Sequence, residues 1–161
     1  VEKMISADPT TKGTTVIAIM GGHGEEIASQ LPLQAYSLGY VSDDKAIVDA
    51  YNSADVFVLP SLEDNLPNTI MEAMACGVPC VGFNVGGIPE MIDHKKTGYV
   101  AKERDTDDLA AGIRWTLEPE QRQILSKNAV DKVQRCYSER AVAMQYIDIY
   151  TDAMAQKRYN I

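Results

Sequence analysis

The sequence predicts an α/β fold in which an open parallel sheet carries helices on both faces and the C-terminal third is helical. Short apolar runs alternate with amphipathic helical patterns over the first hundred residues, an alternation typical of parallel sheets. The run Val-Phe-Val-Leu at residues 56–59 does not alternate, as expected for a strand covered on both faces. The 161 residues are 45% apolar, which suffices for the core of a single domain.

Five strands are predicted, each bounded by turn-forming residues. They cover residues 14–20, 35–40, 54–59, 79–83 and 98–101. The third is expected to be the central strand, because its residues suit burial on both faces. Ligands of open parallel sheets bind at the carboxyl ends of the strands, so the turns that follow these runs are the candidate site.

Helices are predicted where apolar residues recur every three or four positions. Residues 1–5 are typical of the last turn of a helix and run into a polar turn at residues 7–13. Pro67 and Gly77 are suitable residues for the two ends of one helix, and Ser42 is the expected cap of another. The predicted helices cover residues 24–31, 43–53, 66–76, 88–93, 106–117 and 118–137, with a long helix after Ser138 that ends near Tyr159.

One acidic residue is predicted to lie in an apolar helix. Glu72 is the only charge between Ile70 and Ala75. An ionised carboxylate in such a place needs hydrogen-bond donors from the protein or from a ligand. A capping or supporting glutamate is the alternative explanation. A second carboxylate, Asp64, lies eight positions earlier, in the acidic turn before the helix.

The first turn of that helix supplies donors near the two acids. The amides of Asn68, Thr69 and Ile70 are expected to lack helical partners. Carboxylates can accept hydrogen bonds from hydroxyl groups while helix amides donate to phosphate. This combination suits a sugar joined to a nucleotide diphosphate.

Three segments of the sequence carry a family resemblance. They are Ala-Asp-Val-Phe-Val-Leu-Pro-Ser at 54–61, Glu-Ala-Met-Ala-Cys-Gly-Val-Pro at 72–79 and Gly-Gly-Ile-Pro-Glu at 86–90. Together they resemble the donor-binding half of retaining GT-B glycosyltransferases of family 4, also called group 1. The resemblance implies a Rossmann-like C-terminal domain that binds a nucleotide-sugar donor, with no cofactor and no metal held by the protein.

The resemblance also implies roles for the two acids. In that family two glutamates flank the strand-to-helix turn; the first touches the transferred sugar and the second holds the ribose hydroxyls. Glu72 matches the second, while Asp64 stands at the place of the first and Glu63 lies one residue too early. Asn65-Leu66-Pro67 replaces the usual Gly-aromatic-Gly, so Asn65 and Leu66 become the expected donor contacts there, and Pro67 has no amide to donate.

Two further strand ends are implied to contact the nucleotide. Gly22 and Gly24 belong to a glycine turn after the first strand, with a plain tight turn as the alternative. Tyr40 and Val41 match residues that frame the base, with a core aromatic as the alternative for Tyr40.

A third strand end carries two consecutive glycines, Gly86 and Gly87. They would let a ligand approach the amides of the next helix closely, and tight packing is the alternative reason for glycine there.

The charge of the chain excludes some partners and leaves others open. A net charge of -8 argues against a nucleic-acid surface and against a patch for anionic membranes on this domain. Lys45 is the only basic residue between Gly13 and His94, so helix amides must provide part of any diphosphate site. No apolar run has the length of a membrane span.

The length fits one half of a GT-B enzyme. We therefore expect residues 1–161 to be a single domain that lacks its first strand and most of its first helix. A missing N-terminal domain would hold the acceptor, a glycan or a lipid as in polysaccharide biosynthesis. The resemblance implies a cytoplasmic location, with peripheral association at the inner face of the membrane as an alternative for the full-length protein.

Two apparent motifs are better explained by structure. Asp105-Thr106-Asp107 spells the acid-x-acid string that holds a metal in the other large glycosyltransferase fold, but here it precedes a helix, where capping explains it. The three cysteines have no paired spacing, which favours a reducing compartment and argues against zinc.

Two rival functions remain at this point. A nucleotide-sugar epimerase of similar architecture would also bind a diphosphate in this cleft. A non-catalytic interaction domain would keep the fold, and in it Asp64 and Glu72 would find protein partners.

Overall fold

The computed structural model describes residues 1–158, which form nine helices and five strands. In chain order the elements are α1 (Glu2–Ala7), α2 (Thr11–Thr14), β1 (Val16–Met20), α3 (Gly24–Gln30), β2 (Gln34–Gly39), α4 (Asp44–Asn52), β3 (Phe57–Leu59), α5 (Asn68–Ala75), β4 (Cys80–Phe83), α6 (Ile88–Met91), β5 (Gly98–Ala101), α7 (Thr106–Leu117), α8 (Pro119–Cys136) and α9 (Glu139–Arg158).

Every strand pair is parallel, as the sequence predicts, but the strands form two sheets. β1 pairs with β2, and β3, β4 and β5 form a second sheet with β4 in the middle. β3, predicted to be the central strand, has three residues and lies at the edge of its sheet, because it pairs with β4 alone among the described strands. An apolar sequence indicates that both faces of a strand are suited to burial. It does not indicate how many strands pair with it.

Helix ends differ from the predictions where caps decide them. α4 is capped by Asp43, whose carboxylate accepts from the Ala46 amide, and not by Ser42. Pro67 is the N-cap of α5 and precedes its first helical residue. The predicted polar turn near the N-terminus contains α2. The predicted end of the last helix near Tyr159 lies outside the described residues.

The main apolar core surrounds the three-stranded sheet. All four residues of β4 are buried. Helices α5 and α6 contribute Ile70, Met74 and Ile88, which are completely covered. α7 packs on β4 and β5, and α8 packs on α5. Helices on both faces of a parallel sheet therefore bury most of the apolar residues of this half.

The two-stranded sheet is covered much less. α3 packs on β1 and β2, yet Val16 at the start of β1 is 57% exposed. Met20, which ends β1, is the residue of that strand that packs against the main core. The ladder is irregular at this end, where Met20 lies opposite Gly39.

Candidate functional site

The turn after β3 packs directly on the turn after β4. The Gly87 amide donates to the Asp64 carbonyl over 3.2 Å. A Cβ on Gly86 would overlap the Asp64 carbonyl oxygen, and a Cβ on Gly87 would overlap that of Asn65. Gly86 also has a φ of +50°, which favours glycine. Both glycines are therefore required for the close packing of these two turns at the carboxyl ends of β3 and β4.

The residues of the first turn differ in exposure. Asp64 is half-buried, and its carboxylate has no hydrogen-bond or ion-pair partner among residues 1–155, whose side chains are described. Asn65 is exposed, and Leu66, 52% exposed, lies over Gly87. Glu63 is exposed as well. The acid best placed to meet a ligand at this turn is therefore Asp64.

The first turn of α5 offers two amides, where three are predicted. The amides of Asn68 and Thr69 have no hydrogen-bond partner within the described part of the chain. The Ile70 amide donates to the Pro67 carbonyl over 3.1 Å, so the prediction that it is free is wrong. The helix begins two residues later than predicted, which places Ile70 third in the helix, within reach of its own cap.

Glu72 has a protein partner that the sequence analysis missed. The hydroxyl of Tyr51, on α4, donates to Glu72 Oε2 over 3.1 Å. Tyr51 is 3% exposed, and its ring meets Phe57 of β3 edge-on at 5.6 Å. Burial and the charge of Glu72 raise the pKa of the Tyr51 hydroxyl well above its usual range, so at neutral pH it remains a donor.

A signal for this pair exists in the sequence. Ile47 and Tyr51 lie four positions apart, on one side of a predicted helix, and the half-buried Glu72 needs a donor. The other carboxylate oxygen, Oε1, has no partner among residues 1–155. Glu72 is thus held on one side and open on the other.

The predicted base-binding residues form a second group. A Cβ on Gly22 would lie 2.7 Å from the Tyr40 hydroxyl, so the glycine turn and Tyr40 are in contact. Tyr40 is 89% exposed, and the alternative of a core aromatic is wrong. Gly24 is buried against Ser37, where packing of α3 on β2 accounts for the glycine. Val41 is half-buried.

The two groups are connected through the core. No hydrogen bond or ion pair within residues 1–158 joins Gly22 and Tyr40 to the group around Asp64. Met20, next to the glycine turn, packs against the apolar cluster that also contains Tyr51 and Ile70. The structure thus brings together the residues at the ends of β3 and β4, and separately those at the ends of β1 and β2.

The remaining motifs have structural roles. The Asp105 carboxylate caps α7 by accepting from the amides of Asp107 and Asp108, as predicted. The three cysteines are free thiols. No group of three acidic, histidine or cysteine side chains in the described chain is arranged to hold a metal ion. None of the described helices is both long and apolar enough to cross a membrane.

The sequence profile of the glycosyl transferases group 1 matches residues 3–119. The chain belongs to this family. A D-inositol 3-phosphate glycosyltransferase of Saccharomonospora viridis is 33% identical over 96% of this chain and 38% of its own length. An N-acetyl-alpha-D-glucosaminyl L-malate synthase of Bacillus anthracis is 35% identical over 63% of this chain and 27% of its own length. The chain therefore spans well under half the length of these group 1 relatives.

Solved structures agree on the fold. Sucrose-phosphate synthase from Thermosynechococcus elongatus superposes with a TM-score of 0.73 at 23% identity, over 96% of this chain and 42% of that one. Anabaena HepE in complex with UDP-glucose superposes with a TM-score of 0.73 at 20% identity, over 94% of this chain and 44% of the HepE chain. The C-terminal domain of a glycosyl transferase group 1 family protein from Francisella tularensis superposes with a TM-score of 0.61 at 23% identity, over 71% of this chain and 60% of that one. The chain has the fold of the C-terminal domain of a group 1 GT-B glycosyltransferase, and the predicted resemblance and fold class are confirmed.

Proposed function

We propose that this domain binds a nucleotide-diphosphate sugar and serves as the donor half of a retaining glycosyltransferase. The observation that carries the proposal is Glu72, whose carboxylate is held on one oxygen and open on the other, in the helix that begins with the free amides of Asn68 and Thr69. The family supports glycosyl transfer over epimerisation. A neighbour of the same fold, HepE, was crystallised with UDP-glucose and with UDP.

Each group then has a role set by its chemistry. The Asn68 and Thr69 amides would donate to phosphate, where the helix end favours negative charge. Glu72 would accept from the ribose hydroxyls and Asp64 from the sugar. Tyr40 and Val41 would frame the base. Such donors contribute to catalysis when they bind the charge that develops on the leaving diphosphate.

Basic groups for the diphosphate would come from elsewhere in the full-length protein. Lys45 is on the exposed face of α4 and pairs with Asp49 on the same helix. We propose that the acceptor, a glycan or a lipid, is likewise held by a second domain. The relatives are more than twice as long as the share that this chain covers, which leaves room for one.

We also propose that one more parallel strand completes the sheet between β1 and β3. Among the described strands, β1 is paired only on its β2 edge and β3 only on its β4 edge. A strand that precedes β1 in sequence and lies between the two edges would produce the strand order 3-2-1-4-5-6 of doubly wound sheets. It would also cover β1, whose five residues are all apolar and yet partly exposed.

The non-catalytic alternative expects both acids to be satisfied by protein. Glu72 has Tyr51, but Asp64 has no side-chain partner among residues 1–155. An unpaired, half-buried carboxylate at the end of a parallel strand favours a ligand site.

Calorimetric titration of the full-length protein with uridine, guanosine and adenosine diphosphate sugars tests the proposal. One nucleotide class should bind, and Glu72→Gln should lower kcat/KM for the donor by about ten- to a hundredfold, the value of a charged hydrogen bond. Glu63→Ala, a neighbouring exposed acid, is the matched control and should leave the rate unchanged. An unaltered rate for Glu72→Gln with a lower melting temperature would assign Glu72 to the scaffold.

Asp64 is tested by comparing two ligands. Asp64→Ala should lower the rate with the donor sugar far more than the affinity for the bare nucleoside diphosphate, because the proposed contact is to the sugar alone. Equal losses for both ligands would place Asp64 at the phosphate and contradict its proposed role.

A further inference from the structure

We infer that Tyr51 is a positioning residue for Glu72: its hydroxyl holds one carboxylate oxygen so that the other faces the ribose of the donor. The inference rests on the proposed function and deepens it, because it identifies what fixes the nucleotide-binding acid. Tyr51 lies on α4, twenty-one residues before Glu72 and outside the turns that form the site.

The position of the Tyr51 hydroxyl is fixed by packing as well as by its bond to Glu72. Tyr51 is almost fully buried, in the last turn of α4. Its ring packs edge-on against Phe57 of β3, with the two planes 78° apart. Burial in the core and the contact with Phe57 therefore restrain the ring that carries the hydroxyl.

The chemistry of the pair leaves the ribose-facing side free. A tyrosine hydroxyl donates one hydrogen bond, and Glu72 Oε2 receives it at 3.1 Å. A carboxylate has two oxygens and about four acceptor positions, so Oε1 can still accept from a vicinal diol. Without the hydroxyl, the glutamate side chain would have to be ordered when the nucleotide binds, which weakens binding.

A purely structural bond between α4 and α5 is the competing explanation. It predicts a loss of stability on removal of the hydroxyl, with no selective effect on ribose. Positioning predicts an effect that depends on the ribose hydroxyls. A ligand that lacks those hydroxyls therefore separates the two.

The experiment measures nucleotide binding to the full-length protein by calorimetry. Of UDP, GDP and ADP, the one that binds best is compared with its 2′,3′-dideoxy counterpart, for wild type, Tyr51→Phe, Glu72→Gln and the double variant. Tyr51→Phe keeps the ring and its packing on Phe57. Tyr36→Phe, an exposed tyrosine on β2, is the matched control.

Tyr51→Phe should weaken binding of the ribonucleotide by about three- to tenfold, the cost of ordering one side chain on binding, and leave the dideoxynucleotide unchanged. Glu72→Gln should lose more. The double variant should bind like Glu72→Gln alone, because Tyr51 acts through Glu72. Tyr36→Phe should match wild type for both ligands.

Three outcomes would overturn parts of this account, and they are distinct. Wild type that binds no nucleotide would overturn the proposed function. If the wild-type protein bound both nucleotides equally, the proposed contact between Glu72 and the ribose hydroxyls would be wrong. A normal ribose preference in Tyr51→Phe, with or without a lower melting temperature, would overturn the positioning role alone.

Discussion

The strands β1 and β4 have similar sequences and opposite surroundings. β1 is Val-Ile-Ala-Ile-Met and β4 is Cys-Val-Gly-Phe, both without a polar residue. β4 is paired on both edges and completely buried, whereas β1 is paired only with β2 among the described strands and is partly exposed throughout. An apolar sequence therefore indicates that a strand is suited to burial. Whether the strand is buried depends on the elements that pack around it. The proposed additional strand would remove the difference in pairing.

The largest difference between the surroundings of β4 and those of β1 should appear when an apolar side chain is shortened to alanine. Ile88→Ala, at a completely covered position beside β4, should lower the free energy of unfolding by about 2–5 kcal/mol. Val16→Ala on β1 should change it by less than about 0.5 kcal/mol, because Val16 is largely exposed. Urea unfolding of both variants measures this, and similar losses would mean that the halves are equally packed.

Glycine positions should differ in the same direction. Gly87→Ala forces the turn after β4 away from the Asn65 carbonyl and should lower the free energy of unfolding by about 1–3 kcal/mol. Gly13→Ala, in α2 with nothing near the added carbon, should be neutral or raise stability by up to about 1 kcal/mol. Thermal unfolding of the two variants tests this contrast; a stable Gly87→Ala protein would contradict the tight contact.

Ion pairs offer a third comparison. Lys132, 7% exposed, donates to Asp93 and to the Glu90 carbonyl, both over 2.8 Å, and so ties α8 to the loop after α6. Lys132→Met should lower the free energy of unfolding by about 1–2 kcal/mol, since Asp93 and the Glu90 carbonyl lose a charged donor.

The exposed pair on α4 is the matched control. Lys45→Met removes an ion pair with Asp49 and should change the free energy of unfolding by at most about 0.5 kcal/mol. Urea unfolding at low and high salt separates the two pairs, because only the exposed one should respond to screening. If salt weakened both ion pairs equally, the Lys132 pair would be exposed to solvent, contrary to its burial in the structure.

The smallest effect should be a pH dependence that arises from Asp108, on α7. The Lys102 amide and the Tyr99 hydroxyl donate to Asp108, and the two bonds lower the pKa of that carboxyl below its usual 3.8. A lowered folded pKa adds stability that is fully present above the unfolded value and is lost as pH falls through the folded value. Stability should therefore decrease below about pH 4.

Variants at this site check the cause. Asp108→Asn should flatten the acid limb of a plot of unfolding free energy against pH, and Tyr99→Phe should flatten it in part. An acid limb of unchanged slope in Asp108→Asn would assign the loss of stability to other carboxyl groups.

Much of the fold could be predicted because caps and periodicity are local. Residues 106–117 are predicted and observed as a helix, since Asp105 caps it and apolar residues recur at helical spacing. The number of strands and their parallel pairing also follow from the alternation of elements. The division into two sheets could not be predicted, because side-chain patterns record covered faces and not which edges meet.

The candidate site divides in the same way. Asp64, Gly86 and Gly87 are predicted together from strand ends, and the structure brings them into contact. The spacing of Ile47 and Tyr51 indicates the buried side of α4, but which donor reaches Glu72 depends on tertiary packing, which no local pattern specifies. Ile70 was assigned a free amide because the sequence does not fix where a helix begins to within two residues.

The exposed edge of β1 has a practical consequence for handling the protein. A short, wholly apolar strand with an unpaired edge among the described residues is a template for strands of other molecules. The five residues combine high β-propensity with no charge and no proline, the composition of segments that aggregate. We expect the domain of residues 1–161, expressed alone, to self-associate as its concentration rises. Ala18→Lys, at an exposed position of β1, should keep the domain in solution.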